Sequence, residues 1–130
     1  METVFNYLSE AGLYYLATID GDQPRVRPFG SLCKYDGNIY IATSNQKDVF
    51  KQIEAHPKVE ICASTGREWM RISCELEFDS RAEIKDAMLE ALPQLKDVYP
   101  PGENRFTAFK LKNATAKFES LSGKSESCTF

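Results

Sequence analysis

The chain has 130 residues, of which 42% are hydrophobic and 27% are charged, and its net charge is −3. This length and composition are typical of a globular domain that buries its own core, so we expect a single domain over residues 1–130. The small negative charge argues against a nucleic-acid or acidic-membrane surface, and the chain has neither a bilayer-length apolar run nor a basic-then-apolar leader, so we expect a cytoplasmic protein.

The first elements are predicted to be a short helix and a hairpin. An N-terminal helix is expected within residues 1–12, with Thr3 as its N-cap and Gly12 as its C-terminal stop. Its apolar residues recur at helical spacing: Val4, Phe5 and Leu8. A strand over residues 14–19 follows, and Asp20-Gly21-Asp22-Gln23 forms the turn into the next strand.

The second strand is expected at about residues 25–34. Pro28 cannot donate a hydrogen bond to a neighbouring strand, so this strand is expected at an edge, at a bulge or beside a ligand. Tyr35-Asp36-Gly37-Asn38 has the composition of a second hairpin turn. It leads into the apolar strand Ile39-Tyr40-Ile41-Ala42.

A second helix is predicted over residues 46–55, with Asn45 as its N-cap. Its apolar face consists of Val49, Phe50 and Ile53. His56-Pro57 ends the helix, because the residue before a proline disfavours helical backbone angles.

The second half of the chain is predicted to begin with strands at residues 59–63 and 69–78. Ser80-Arg81-Ala82-Glu83 is a capping-box pattern that predicts a third helix. The apolar side of that helix is formed by Ile84, Met88 and Leu92. After a loop at Tyr99-Pro100-Pro101-Gly102, a last pair of strands is expected within residues 106–119.

Residues 121–130 are expected to form a polar tail. The other elements amount to about six short strands, joined mainly by hairpins, with helices at their ends. This pattern predicts a mainly β fold, an antiparallel barrel with accessory helices.

The cysteines and the histidine give no indication of a metal site. The four cysteines contain no Cys-x-x-Cys pair. Cys33, Cys62 and Cys74 lie in predicted strands, where a free thiol behaves as a small core residue, with a redox or metal role as the alternative. The single histidine, His56, lies in a predicted loop, which argues against a zinc site or a Ser-His-Asp triad. If the protein is an enzyme, its chemistry is expected to come from a cofactor.

Basic and hydroxyl side chains cluster around the start of the second helix. Arg25 and Arg27 are two residues apart in a strand and therefore share a face. Thr43 and Ser44 end the strand before the helix, and Lys47 lies in its predicted first turn, where the dipole disfavours a cation unless an anion binds. Each residue alone has an ordinary explanation, as a solvated charge or a helix-start hydroxyl. Together they predict a pocket for a phosphate attached to a larger molecule.

Several segments resemble a known family, the pyridoxamine 5′-phosphate oxidase-like, FMN-binding split-barrel proteins. Residues 15–30 are similar to the first hairpin of that family. Residues 40–47 and 53–59 are similar to its third strand and phosphate-binding helix start, and Trp69-Met70-Arg71-Ile72 matches its Trp-x-Arg strand. Within the family, the chain looks most similar to the small nitroimidazole-resistance (nitroimidazole reductase-like) and general-stress branch.

The resemblance implies a six-stranded antiparallel split β-barrel that forms a homodimer, with FMN bound in clefts between the subunits. The residues that would contact the flavin ring and ribityl chain are Arg25, Val26, Arg27 and Pro28. Those that would hold the phosphate are Thr43, Ser44, Gln46 and Lys47. Trp69 would lie near the cofactor of its own or the partner subunit, with packing in the core or the dimer interface as the alternative.

The resemblance also implies an FMN-dependent oxidoreductase that passes a hydride to a small planar acceptor, such as a nitroaromatic or a quinone. NAD(P)H is the expected donor, and neither a catalytic side chain nor a metal is expected. The alternative is a non-catalytic protein that binds or sequesters a flavin, a deazaflavin or haem. Vitamin B6 oxidation is not expected, because the extended C-terminal part with which the true oxidase closes over its substrate's phosphate is missing.

Overall fold

The computed structural model describes residues 1–100 and 103–130, and this part of the chain forms four helices and one eight-stranded sheet. The elements in chain order are α1 (Glu2–Ala11), β1 (Tyr14–Asp20), β2 (Gln23–Phe29), β3 (Cys33–Tyr35), β4 (Asn38–Ser44), α2 (Asp48–Ala55), β5 (Lys58–Thr65), β6 (Glu68–Asp79), α3 (Ala82–Ala91), α4 (Leu95–Val98), β7 (Phe106–Ser120) and β8 (Ser125–Thr129). None of these helices has the length and apolarity needed to cross a lipid bilayer.

The sheet is antiparallel throughout, in the order β2-β1-β5-β6-β7-β4-β3, with β8 added beside β7. The long strand β7 pairs with β6 on one edge, and on the other edge with β4 and then β8. A register shift between Ser73 and Glu75 marks a bulge in β6, a feature that bends a strand. The predicted mainly β class is confirmed, with eight strands in place of the predicted six.

The predicted hairpin turns are confirmed. Asp36 and Gly37 both have positive φ, 50° and 75°, which is the type I′ geometry that suits a tight β-hairpin. The predicted strand at residues 25–34 is interrupted, because residues 30–32 separate β2 from β3. β2 is an edge strand, as Pro28 predicted.

The starts of α1 and α3 differ from the predictions. Thr3 lies inside α1, which begins at Glu2. Ser80 precedes Arg81, the N-cap of α3, and neither helix has a side-chain cap. The predicted caps at Thr3 and Ser80 are therefore wrong. At α3, the carboxylate of Asp79 accepts the Arg81 backbone N–H at 3.1 Å, so the end of β6 supplies the acceptor.

The start of α2 also differs from the prediction. The helix begins at Asp48, and Lys47 is its N-cap in extended conformation, with φ −87° and ψ 152°. The predicted start at Gln46 and the predicted cap at Asn45 are wrong. The Asn45 N–H donates to the carbonyl of Arg105 at 2.8 Å, which extends the pairing of β4 with β7. Because this bond keeps Asn45 beside β7, the helix starts only after a further turn.

The C-terminal part contains more structure than the sequence predicted. Residues 106–119 form one strand with Ser120 rather than a pair of strands, and the predicted polar tail contains β8. Ala114 and Phe130 exchange two backbone hydrogen bonds of 2.9 Å, and the Phe130 ring packs against the core. In the predicted loop 99–102, residues 101 and 102 lie outside the described residues.

The main core lies between the sheet and helices α1 and α2. Its fully buried side chains include Val4, Leu8, Leu16, Ile39, Ile41, Ile61, Met70 and Ile72. A smaller cluster lies beneath α3, where Ile84 and Met88 pack with Tyr40. The predicted apolar faces of α1 and α3 are confirmed by this burial.

All four cysteines are free thiols located in strands. Cys33 and Cys74 are buried, whereas Cys62 and Cys128 are half-buried. Burial raises the pKa of the Cys74 thiol to about 12. Because the thiolate is the reactive form, this cysteine is unreactive near neutral pH. The core interpretation is confirmed for Cys33 and Cys74.

Candidate functional site

A cavity of about 290 Å³ lies where β2 and β4 meet the start of α2 and the short helix α4. We call it the α2 cavity. It is lined by Arg27, Pro28, Phe29, Gly30, Ser31, Ala42, Thr43, Lys47, Val49, Leu95, Val98 and Tyr99. The topology explains its position, because β4 leads directly into the turn before α2.

Four of the predicted cofactor-binding residues line the α2 cavity together: Arg27, Pro28, Thr43 and Lys47. They come from three places in the chain, namely β2, the end of β4 and the N-cap of α2. The fold therefore brings the predicted basic and hydroxyl side chains to one place.

Two of the predicted residues on β2 lie outside this lining. Arg25 donates to the carboxylate of Asp20 across the hairpin turn, with Nε and Oδ2 3.1 Å apart. Val26 is on the opposite face of the strand from Arg27 and is 67% exposed, as strand alternation requires. Neither side chain lines the α2 cavity of a single protomer.

Ser44, Gln46 and Trp69 also lie outside the lining. Ser44 is buried, and its Oγ accepts the backbone N–H of Gln46 at 3.2 Å, which stabilises the turn before α2. The Gln46 side chain is exposed and donates to Asn45 Oδ1 at 2.8 Å. Trp69 lies on β6 between β5 and β7, separated from β2 by two strands of the sheet.

Arg27 is held by three internal acceptors. Its Nη1 donates to the Leu16 carbonyl at 3.1 Å and to Thr18 Oγ1 at 2.7 Å. Its Nη2 donates to Gln52 Oε1 at 2.7 Å. Thr18 Oγ1 also donates to Gln52 Oε1 at 2.5 Å, so the three side chains form a closed ring of hydrogen bonds. This ring ties β1, β2 and α2 together beside the cavity.

None of the acceptors of Arg27 is charged. In the described part of the chain Arg27 forms no salt bridge, whereas its neighbour Arg25 pairs with Asp20. Burial lowers the pKa of Arg27, and the positive charge of Arg25 lowers it further. A guanidinium remains protonated in proteins and has five N–H donors, of which this ring and Leu16 use three. Arg27 therefore keeps an uncompensated positive charge at the cavity wall.

Lys47 brings a second cation to the α2 cavity. Its side chain is exposed, and among residues 1–100 and 103–130 it makes no salt bridge. The ammonium group of Lys47 cannot accept a hydrogen bond, so the first turn of α2 has no side-chain cap, although the Phe50 N–H donates to the Lys47 carbonyl at 3.2 Å. An anion at this end of the cavity would meet both the ammonium group and the positive end of the helix dipole.

Thr43 is held firmly at the end of β4. It is 5% exposed, and its carbonyl accepts a hydrogen bond from Thr107 Oγ1 at 2.6 Å. Thr107 is buried on the adjacent strand β7 and is the Cα partner of Thr43. This bond fixes the register of β4 where the strand borders the cavity.

The apolar wall of the cavity consists of Leu95, Val98 and Tyr99, none of which was predicted as a site residue. Tyr99 is 6% exposed and packs edge-on against Phe106, with ring centroids 5.2 Å apart. Burial raises the pKa of Tyr99. A helix of four residues shows no periodicity in the sequence, so no pattern indicated this wall.

Gln52 and Thr18 were not predicted as site residues either. Gln52 carries a signal that could have revealed it, because it lies three residues after Val49 and one before Ile53, on the apolar face of α2. A polar residue on such a face is buried and needs hydrogen-bond partners. Both Gln52 and Thr18 are buried, with exposures of 9% and 3%.

The α2 cavity combines a cationic end with an apolar wall. Its lining, as far as the chain is described, contains no carboxylate, histidine or cysteine. His56 lies instead in a separate recess, together with Asp20 and Asp48. This arrangement suits an anionic group on an apolar or planar body. It offers no side-chain acid or base that titrates near neutral pH.

An exposed apolar strip covers the outer face of the first hairpin. The register of β1 and β2 pairs its members, Tyr15 with Pro28, Ala17 with Val26, and Ile19 with Pro24. The exposed fractions of Val26, Tyr15 and Ile19 are 67%, 49% and 41%. Because Pro28 also lines the α2 cavity, this outer strip reaches the rim of the cavity.

Comparison with known proteins identifies the family. The family model described as pyridoxamine 5′-phosphate oxidase matches residues 1–119. The chain belongs to the pyridoxamine 5′-phosphate oxidase family. It is also similar to the crystal structure of a NimC/NimA family protein from Clostridium acetobutylicum, with 38% identity and a TM-score of 0.95 over 100% of this chain and 92% of that one. The predicted family resemblance is confirmed.

Solved structures with lower sequence identity share the fold. A pyridoxamine 5′-phosphate oxidase-related, FMN-binding protein from Nostoc punctiforme is 16% identical, with a TM-score of 0.63 over 99% of this chain and 95% of that one. A heme binding protein from Mycobacterium smegmatis is 14% identical, with a TM-score of 0.74 over 96% of this chain and 56% of that one. None of the curated proteins matches the chain. The predicted split-barrel class is confirmed by these likenesses.

Proposed function

We propose that the protein binds FMN at the α2 cavity and passes a hydride from NAD(P)H to a small planar acceptor, such as a nitroaromatic or a quinone. The observation that supports this most directly is the convergence of Arg27, Thr43 and Lys47 on one cavity at a helix N-terminus. The description of the Nostoc punctiforme relative as FMN-binding supports the same assignment.

The phosphate of FMN is assigned to the end of the cavity at Lys47. The ammonium group, the free N–H groups of the first helical turn and the hydroxyl of Thr43 are the donors that a phosphate monoester needs. Ser44 and Gln46 act by shaping the turn that places Lys47 at the helix start. In this proposal the charge of Lys47 is compensated by the ligand.

A flavin needs more room than one protomer provides. The volume of about 290 Å³ lies at the lower limit of ordinary ligand sites, which span about 300–1,000 Å³. The outer strip adjoins the cavity, and a second copy of the chain packed on it would complete the walls. In a twofold dimer the same surface serves both copies. Only in such a homodimer do Val26 and Trp69 approach a cofactor.

When bound, FMN supplies hydride transfer, and its reduced form carries negative charge on the ring. The residues of this chain would bind and orient the cofactor. Arg27, which lines the cavity, would supply a fixed positive charge to the bound flavin and so favour its reduced form. Leu95, Val98 and Tyr99 exclude water and offer an apolar surface to a planar acceptor. Since the described lining contains no carboxylate, histidine or cysteine, we assign no proton transfer to a side chain.

A second candidate is a binding protein that holds a flavin, a deazaflavin or haem without catalysis. The described lining contains no carboxylate, histidine or cysteine, and the fold is similar to that of a heme binding protein; both observations favour this candidate. Haem iron, however, needs an axial ligand such as His, Cys, Met or Tyr. Among the described lining residues only Tyr99 is of this kind, and it is buried against Phe106. The cavity therefore favours a flavin over haem.

The test is a titration of the purified protein with FMN, followed by anaerobic addition of NAD(P)H. We expect saturable binding, loss of the visible flavin absorption on reduction, and its return when a nitroaromatic or a quinone is added. Failure to take up FMN would contradict the proposal. A bound flavin that NAD(P)H cannot reduce, and that passes no electrons to any acceptor, would establish the second candidate instead.

A further inference from the structure

The partner of Arg27 is an amide where a carboxylate would be the usual choice. Gln52 Oε1 accepts hydrogen bonds from both Arg27 Nη2, at 2.7 Å, and Thr18 Oγ1, at 2.5 Å. Because the guanidinium is a donor only, the atom that faces it is the amide oxygen. Partly buried arginines are ordinarily paired with Asp or Glu, which neutralises them. Here Gln52 accepts the hydrogen bond that a carboxylate would accept, but it carries no negative charge.

We propose that Gln52 is a positioning residue of the α2 cavity, whose neutral oxygen fixes the Arg27 guanidinium while leaving its full positive charge available to the bound flavin. This inference rests on the proposed function and adds to it a residue that sets the electronic properties of the site. Gln52 does not line the cavity, and it acts only through Arg27.

The surroundings of Arg27 support this role. Its other two acceptors, the Leu16 carbonyl and the Thr18 hydroxyl, are also neutral. The carboxylate of Asp20, at the turn of the same hairpin, pairs with Arg25 instead. The pKa of Arg27 is lowered by burial and by Arg25, which is the direction expected when no carboxylate compensates the charge. The cavity wall is therefore built to present a cation.

Gln52 has a second, mechanical effect. It lies on α2, the helix whose N-cap is Lys47, and its bonds to Thr18 and Arg27 join that helix to the first hairpin. Gln52 thus fixes the two cations of the cavity relative to each other. The mechanical and the electrostatic effects can be separated, because Gln52→Glu keeps the acceptor and adds a charge, whereas Gln52→Met removes the acceptor and adds none.

The experiment compares wild type, Gln52→Glu, Gln52→Met and the control Gln23→Glu. Gln23 lies exposed at the far end of β2, so the control makes the same chemical change away from Arg27. The measurements are the urea midpoint, the affinity for oxidised FMN and the two-electron reduction potential of the bound flavin. We expect Gln52→Glu to fold, to bind oxidised FMN, and to weaken binding of reduced relative to oxidised FMN about tenfold, a lowering of about 30 mV. The control is expected to keep the wild-type potential.

Gln52→Met is expected to keep the potential of wild type but to bind FMN about fivefold more weakly, because Arg27 loses a tether and not its charge. An unchanged potential in Gln52→Glu with FMN bound would overturn the electrostatic role of Gln52 and leave the proposed function standing. If Gln52→Glu does not fold, Gln52→Met decides, and an unchanged FMN affinity in that variant overturns the inference. Wild-type protein that binds no FMN would instead overturn the proposed function, and the inference with it.

Discussion

The hydroxyl of Tyr40 donates a hydrogen bond to Asp79 Oδ2 at 2.9 Å, at the point where β6 leads into α3. Arg81 holds the same carboxylate through its guanidinium, with Nη2 and Oδ2 3.0 Å apart, and through its backbone N–H. The hydrogen bond from the Arg81 side chain is the main reason why the pKa of Asp79 is lowered to about 2. This network joins the α3 segment, which leads on to the apolar wall of the cavity, to the sheet.

We predict that Asp79 makes the protein less stable as the pH falls from about 4 toward 2. The pKa of Asp79 lies below its ordinary value of 3.8 in the folded state, so the unfolded state binds more protons in this window and unfolding is favoured there. Because Arg81 is 48% exposed, we expect a contribution of only about 1 kcal/mol. Urea unfolding at pH 5 and pH 3 measures it.

The matched variants for this measurement are Asp79→Asn and Asp20→Asn. Asp79→Asn should be less stable than wild type at pH 5. Between pH 5 and pH 3 its stability should fall less than that of wild type. Asp20 belongs to an exposed pair with Arg25, so Asp20→Asn should retain the decline of wild type. The same decline in Asp79→Asn as in wild type would show that this carboxylate is not the group responsible.

Lys47→Ala should weaken FMN binding about 10- to 150-fold, since a hydrogen bond to a charged group is worth about 1.5–3 kcal/mol. Its affinity for riboflavin, which lacks the phosphate, should stay close to that of wild type. Isothermal titration with both ligands measures the difference. Lys51→Ala is the control, because Lys51 is exposed on the same helix but does not line the α2 cavity. An equal loss for FMN and riboflavin would place the phosphate elsewhere.

Local chemistry explains which parts of the fold were predictable. The turn at Asp36-Gly37 was predicted correctly because both residues tolerate the positive φ that the hairpin requires. The start of α2 was not predicted correctly, because a tertiary contact decided it. Asn45 is a good N-cap by composition, but its backbone pairs with Arg105 and the helix begins later. As a result Lys47 is the N-cap rather than a first-turn residue.

Two charged residues of the candidate site were predictable from the sequence, whereas the residue that holds Arg27 in place was not. Arg27 and Lys47 were found because basic side chains near a helix start indicate an anion site. Gln52 was missed because its hydrogen bonds cross from α2 to the first hairpin, a contact that no local pattern encodes. Val26 and Trp69 came only from family resemblance, and within one protomer neither reaches the cavity.

The strand β8 makes the last residues a structural part of the sheet, so Phe130→Ala should destabilise the protein. The ring is half-buried against the core and its backbone pairs with Ala114. We expect a loss of about 1–2 kcal/mol, less than for a fully buried aromatic residue. Leu121→Ala is the control, since Leu121 is 77% exposed and should change stability by less than about 0.5 kcal/mol. Thermal or urea unfolding compares the two, and equal midpoints would argue that β8 is not packed on the core.

The outer strip predicts that Val26→Glu separates the proposed dimer without unfolding the chain. Val26 is 67% exposed, so a carboxylate there is solvated in the monomer, but in a twofold contact it would be buried near its own copy with no partner. Leu121→Glu makes the same kind of change at an exposed aliphatic residue that is not part of the strip. Sedimentation velocity should show a dimer for wild type and Leu121→Glu, and a monomer for Val26→Glu.

Because the cavity of one protomer is too small to enclose a flavin, Val26→Glu should also bind FMN at least about tenfold more weakly. A dimeric Val26→Glu protein with wild-type affinity would show that the subunits meet through another surface.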